Sequence, residues 1–214
     1  MDAASLQVSA SSSTGKAMVG ENDLLIVGPG VLGHLVAEKW REEHPGCQIY
    51  GQTVTTDHHD ELLSLGINPL LKETKTDQKF PYVIFCAPPS KTPDYPGDIR
   101  LAALSWNGEG SFVFTSSSAP YGCNDNGPCD EDTPNVPIGR SPRTDNLLKA
   151  EKVGHAAAIA VLAASAAATS QPKAPEAPTP AVHAMATGST CFLDHMKDII
   201  SLSMEKHQHM EEAE

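Results

Sequence analysis

Apolar positions along the chain change their spacing repeatedly, and each change marks an element. Leu24, Leu25, Ile26 and Val27 form an unbroken apolar run, the pattern of a parallel strand buried on both faces. Leu32, Leu35, Val36 and Trp40 then recur at helical spacing, and this helix should stop near His44, Pro45 and Gly46. Cys47 to Thr53 reads as a second strand running into a polar turn. Asp57 is placed to cap a second helix, with Asp60 and Glu61 in its first turn, Leu62, Leu63 and Leu65 as its apolar positions and Gly66 as its end. A short edge strand is expected around Pro69 to Leu71.

Tyr82 to Ala87 is again wholly apolar and is stopped by Pro88, Pro89 and Ser90, so it reads as the central strand beside the first. A helical stretch from about Asp98 to Trp106 leads through the turn Asn107-Gly108-Glu109-Gly110 into a further buried strand, Ser111 to Thr115. Strands alternating with helices in this way predict the α/β class, with a doubly wound parallel sheet. After Val153 the character changes. Ala156 to Ala168 can be helical by propensity but is too short to cross a bilayer, and Gln171 to Pro180 reads as an extended proline-rich linker. Cys191 to Met204 offers one or two amphipathic turns before an acidic end at Glu211, Glu212 and Glu214. The expected division is a disordered leader over 1–21, an α/β domain over 22–153, and an Ala/Pro-rich tail over 154–214 that is partly helical or disordered.

Charge narrows the partners. The formal net charge is -12 and no cluster of Lys or Arg departs from it, which argues against a nucleic-acid or anionic-membrane surface and leaves a small molecule as the expected partner. Cys47, Cys86, Cys123, Cys129 and Cys191 contain no C-x-x-C pair, leave an odd thiol and follow no secretory apolar segment, so a reduced, cytoplasmic setting is the simpler reading. The Ser/Ala-rich start contains Asp2 and no Arg, which makes a poor transit peptide; the plastid stroma stands as the alternative.

The candidate chemistry begins at Gly28, Gly30 and Gly33, spaced G-x-G-x-x-G between the first strand and its helix. Gly28 suits a sharp turn, Gly30 offers no Cβ to an approaching pyrophosphate, and Gly33 allows close packing of helix on strand. The amides at the helix start, those of Val31 and Leu32 included, favour phosphate charge; the competing reading is a tight turn with no ligand. Thr53 ends the second strand where a dinucleotide's ribose would be read. Gln52, Thr53, Thr55 and Thr56 supply no carboxylate for the 2′-hydroxyl, so NADP is preferred over NAD, with His58 or His59 as weak substitutes for a clamping Arg. Cys86, Ala87 and Pro88, at the end of the central strand, complete the candidate cofactor contacts, although Cys86 also reads as a small core residue. Ser116, Ser117 and Ser118 cluster after the last strand as candidates to hydrogen-bond a substrate carbonyl, against the alternative of an ordinary polar loop. His58, His59 and Asp60 point in different directions on a helix, and the loop holding Cys123, Asp125, Cys129, Asp130, Glu131 and Asp132 reads as solvated, so no metal site is assigned.

The motifs GPGVLG, FCAPPS, FTSSSAPYG and SPRTDNLLKAEKV, taken in this order, resemble the extended short-chain dehydrogenase/reductases, and within them the atypical YeeZ-like NAD(P)-binding Rossmann proteins. The similarity covers about Asn22 to Val153. It implies a Rossmann core with strand order 3-2-1-4-5, a nicotinamide cofactor, and redox or epimerase-type chemistry on a small substrate. By the same resemblance Ser118 stands where the family polarises its substrate, and Lys149 where the lysine of the Tyr-x-x-x-Lys pair contacts ribose; a solvated helix lysine is the alternative. Asp145 occupies the tyrosine's place, and a carboxylate cannot act as the phenolic acid. With the change of character after Val153, the expectation for the whole chain is an alternatively spliced, frameshifted or mispredicted product that retains the cofactor half and has an unrelated tail. The strand edge left open beside Ser111 to Thr115 would invite self-association. Three functions follow: an NAD(P)-dependent oxidoreductase or epimerase-like enzyme, a non-catalytic NADP-binding or sensor module, and an inactive truncated form, with binding ranked ahead of turnover.

Overall fold

A computed structural model describes residues 18–74, 77–117, 119–122 and 133–169. In chain order the elements are β1 (Leu24–Val27), α1 (Val31–Glu43), β2 (Ile49–Thr53), α2 (His59–Ser64), β3 (Asn68–Leu71), β4 (Phe80–Phe85), α3 (Tyr95–Leu104), β5 (Trp106–Phe114) and α4 (Pro142–Thr169). The five strands pair in parallel in the order β3-β2-β1-β4-β5. The fold is thus α/β with the expected strand order.

Why β1 lies at the centre follows from its side chains. All four are buried, and because neighbours on a strand point to opposite faces they serve two cores. Leu24 and Ile26 join Val36, Ala37 and Trp40 of α1 and Leu62 of α2 on one face. Leu25 and Val27 join Tyr95, Ile99, Ala102 and Ala103 of α3 and Leu147 and Ala150 of α4 on the other. A run without polar interruptions is what a strand covered by helices on both sides requires.

Several boundaries differ from the sequence reading, each for a local reason. The residue at the N-cap of α2 is His58, while Asp57 accepts the Thr55 hydroxyl proton at 2.9 Å. Strand β4 starts at Phe80, which places Pro81 inside it. Proline has no N–H to give the ladder, the register shifts between Phe80 and Tyr82, and the Pro81 carbonyl accepts the Trp106 indole N–H at 3.0 Å. Helix α3 begins at Tyr95, because the Asp94 carboxylate accepts the Gly97 N–H at 3.0 Å and a proline sits in the first turn. Strand β5 starts at Trp106 and absorbs the segment expected to be a turn.

The largest difference lies at the end. Helix α4, whose Thr144 N–H donates to the Ser141 hydroxyl at 3.1 Å, runs without a break through Val153 and the alanine run to Thr169. Its far half is packed: Ala157, Ala158, Val161 and Leu162 lie against the α3 core, and the Ser165 hydroxyl donates to the Asn107 carbonyl at 2.8 Å. Among the described residues no helix is long and apolar enough to cross a membrane.

The two sides of this helix should respond differently to truncation. Leu162→Ala, on the packed side, is expected to cost about 1–2 kcal/mol of stability, whereas Ile159→Ala, on the exposed side, should stay within about 0.5 kcal/mol. Urea denaturation midpoints at constant slope measure both; equal effects would mean that the second half of α4 does not pack on the domain.

Candidate functional site

The carboxyl ends of four strands lie side by side. The Gly28 N–H donates to the Gln52 carbonyl at 3.0 Å, the Cys86 N–H to Val27 at 2.8 Å, and the Thr115 N–H to Phe85 at 3.0 Å. From this line α1 departs to one face and α3 to the other, so a crevice opens between the ends of β1 and β4. Such a switch point is where open parallel sheets bind ligands.

The three glycines of the turn meet different demands there. Gly28 has φ +78°, and a Cβ on it would fall 2.6 Å from the Ala87 Cα, so both conformation and space exclude a side chain. At Gly33 a Cβ would fall 2.9 Å from Ile26 Cγ2, the close approach of α1 to β1. Gly30 is different. Its backbone is extended, with φ -84° and ψ -155°, and a Cβ there would meet nothing within 4 Å. Nothing in the described chain requires a glycine at this position. The adjoining helix end has no side-chain cap and no acidic residue in its first turn, so its first amides point outward unmatched. Val31 beside them is 71 % exposed.

At the end of β2 the Thr53 hydroxyl donates to the Thr55 carbonyl at 2.8 Å and also lies 2.8 Å from His59 Nε2. A hydroxyl has one proton; with that proton given to Thr55, His59 must donate from Nε2. No carboxylate ends β2. His58 is exposed and faces Glu61 at 3.4 Å, so the two adjacent histidines diverge. Among the described residues no group of three or more His, Cys, Asp or Glu converges to hold a metal.

Beyond the turn, a cavity of about 180 Å³ lies between the ends of β4 and β5, the start of α3 and the first turns of α4. Cys86, Ala87 and Pro88 line it, as do Tyr95, Ser116, Ser117 and Arg143. The cavity and the glycine turn share a wall, because Ala87 is the residue against which Gly28 closes. Burial pushes the Cys86 thiol up to about 12, which leaves it protonated and inert as a nucleophile at neutral pH. Burial, with smaller effects from Cys86 and Glu151, raises the Tyr95 phenol to about 12. The Ser116 hydroxyl donates to the Glu151 carboxylate of α4.

The residues named by the family resemblance fall differently. Ser118 lies outside the described residues, as does the loop with Cys123 and Cys129. Lys149 is exposed and is not part of the cavity wall. The Asp145 carboxylate accepts the Gly139 N–H, at 2.9 and 3.1 Å from its two oxygens, and so ties the loop before α4 to that helix. Tyr121 forms an isolated antiparallel bridge with Asn135. Tyr95, Arg143 and Glu151 were not legible as site residues, because they come from two helices far apart in sequence. One signal was present: the Asp94-Tyr95-Pro96-Gly97 start of a helix after the central strand places Tyr95 at the strand-end side of the sheet.

No family model matches the chain, and no curated protein does. Several solved structures align with it, two of them as follows. One is a functionally unknown conserved protein from Silicibacter pomeroyi DSS, at 22% identity and TM-score 0.49 over 63% of this chain and 49% of that one. The other is gox2253, at 20% identity and TM-score 0.48 over 63% of this chain and 47% of that one. The chain therefore spans about half the length of either. The domain itself is a parallel α/β fold compatible with a Rossmann-like architecture.

The half-buried Cys86 thiol and the buried Tyr95 phenol make alkaline stability testable. In the unfolded chain the thiol and phenol ionise near their ordinary values of 9.0 and 10.0, and in the folded chain only near 12. Stability contributed by their protonated forms is complete below about pH 9 and is lost as pH rises toward 12. The thermal midpoint should fall across that window, and less steeply in Cys86→Ala. Peptide mapping after iodoacetamide treatment near neutral pH should find Cys86 modified far more slowly in the native than in the unfolded protein; equal rates would contradict a raised thiol pKa.

Proposed function

We propose that this domain binds a nicotinamide dinucleotide, NADP in preference to NAD, with the pyrophosphate against the amides of Val31, Leu32 and Gly33. The observation that carries the reading is Gly30. Gly28 and Gly33 are explained by the chain's own packing, whereas the open space over Gly30 is accounted for by a group from outside the chain. Thr53 and Gly28 then border the ribose and phosphate side, and Cys86, Ala87 and Pro88 the nicotinamide side. The lack of a carboxylate at the end of β2 removes both the usual acceptor for a 2′-hydroxyl and the repulsion of a 2′-phosphate, and His59 offers a ring nitrogen close by. The dinucleotide, when bound, supplies or accepts a hydride.

Binding without turnover is the primary reading, as a carrier or sensor of the dinucleotide's state. Asp145, in the place of the family's tyrosine, is engaged with Gly139, and Lys149 is turned to solvent. A second reading, an oxidoreductase or epimerase-like enzyme of the atypical short-chain type with Ser118 polarising the substrate and Lys149 on the ribose, draws support from Tyr95. Its phenol lines the cavity, a phenolic acid that the Tyr-x-x-x-Lys spacing did not offer. The proposed setting is the cytoplasm, with the plastid stroma as the alternative; the free thiols of Cys47 and Cys86 are consistent with a reducing compartment. The side of β5 away from β4, which pairs with no strand among the described residues, is the surface through which copies would associate.

Fluorescence titration of the purified chain with NADPH and NADH tests the proposal. NADPH is expected to bind more tightly than NADH. Gly30→Asp should weaken NADPH by about a hundredfold or more, through charge repulsion and loss of approach. Gly30→Ala should weaken it by about tenfold with an unchanged thermal midpoint, since the added methyl has no protein neighbour. No saturable binding of either nucleotide to the folded wild-type chain would refute the reading. Oxidation of NADPH by a carbonyl substrate, abolished in Tyr95→Phe, would favour the enzyme over the module.

A further inference from the structure

We propose that the cavity between the ends of β4 and β5 is a receptor for a small carboxylate, with Arg143 as its counter-ion and Ser117 and Tyr95 as neutral donors. The inference goes beyond dinucleotide binding and concerns what sits beside it. It rests on counting which polar groups of the cavity wall are already satisfied.

Thr115 gives its hydroxyl proton to the Phe85 carbonyl at 3.0 Å, and Ser116 gives its proton to Glu151. Neither has a proton left for a ligand. The Ser117 hydroxyl accepts the Ala119 N–H at 3.2 Å, which leaves its own proton uncommitted among the described residues. Tyr95 is fixed by ring contacts with Phe85 and Phe114, and among the described residues its hydroxyl has no hydrogen-bond partner. The guanidinium of Arg143 likewise has no hydrogen bond or ion pair among the described residues.

The uncommitted groups are therefore donors, and one of them is a fixed cation. A ligand that only accepts hydrogen bonds and carries negative charge matches that inventory, and a planar carboxylate matches the guanidinium fork in geometry. The position of Arg143 adds to this, because it lies in the first turn of α4, where the helix dipole has the same sign as the side chain. Glu151, the acidic group beside the cavity, lies two turns further along α4 and is engaged by Ser116. The negative end of the ligand is thereby directed to the Arg143 side.

Ligand-observed NMR and calorimetry on the full chain, without nucleotide, test this with pyruvate, malonate and succinate, each beside its uncharged amide, and with inorganic phosphate. At least one carboxylate should bind saturably and its amide should not. Arg143→Gln should weaken that carboxylate about tenfold to a hundredfold with an unchanged thermal midpoint, Arg143→Lys should restore part of the loss, and Ser117→Ala should give a smaller decrease. Absence of binding by every carboxylate, equal binding of the amide or of phosphate, or wild-type affinity in Arg143→Gln would overturn the proposal. Gly30→Asp separates the two sites, since it should lose NADPH and keep the carboxylate; in the wild-type chain, failure to bind NADPH alongside intact carboxylate binding sinks the dinucleotide reading alone, and the converse sinks this one alone.

Discussion

The approach of Gly28 to Ala87 is the constraint on which the site depends. It brings the loop after β1 within van der Waals range of the loop after β4, and it exists because Gly28 has no Cβ and tolerates a positive φ. Any side chain would push the two loops apart and separate the glycine turn from the cavity. With the loops in contact, the start of α1 and the cavity beneath α3 become two compartments of one cleft, sharing Ala87 as their common wall. The strands on either side hold this geometry, since β1 is hydrogen-bonded to β2 and β4 and buried on both faces.

The cleft is polar in a manner opposite to the chain as a whole. The protein is strongly acidic, yet the start of α1 carries no carboxylate, the end of β2 carries none, and the cavity wall presents Arg143. Acidic side chains near the cleft are engaged in local bonds: Asp57 with Thr55, Asp145 with Gly139 and Glu151 with Ser116. A surface charge that repels anions at long range and a cleft that offers them donors at short range are compatible, because screening limits the former to about 8–10 Å at ordinary salt. On the proposed reading, selectivity for an anion would come from directed hydrogen bonds rather than from net charge.

Helix α4 connects the alanine-rich stretch to the site. Its first turns supply Arg143, Leu147 and Glu151 to the cavity or its border, and its later turns pack through Ala157, Ala158, Val161 and Leu162 on the core formed with α3. Small side chains let the helix lie close to α3, and a few larger ones provide burial. A segment of low information content thus acts as the anchor of the element that completes the cavity.

The local pattern alone determined the α/β class, the position of the glycine turn and the absence of an acidic ribose acceptor; the strand order was implied only by the family resemblance, and the structure shows it. The locally determined features depend on residues next to one another in the chain: an apolar run, a glycine spacing, a polar strand end. The start of α3 was expected about three residues late, at Asp98, although Asp94 and Pro96 carry the local capping signal for it. The tertiary structure decided the rest. Periodicity could not show that Pro81 is accommodated in β4 by a register shift and a bond from Trp106, that α4 continues past Val153, or that Tyr95 and Arg143 meet across one cavity while Lys149 faces solvent. Each of these depends on which segments pack together, and packing is settled by burial summed over the whole fold rather than by the preference of any one stretch.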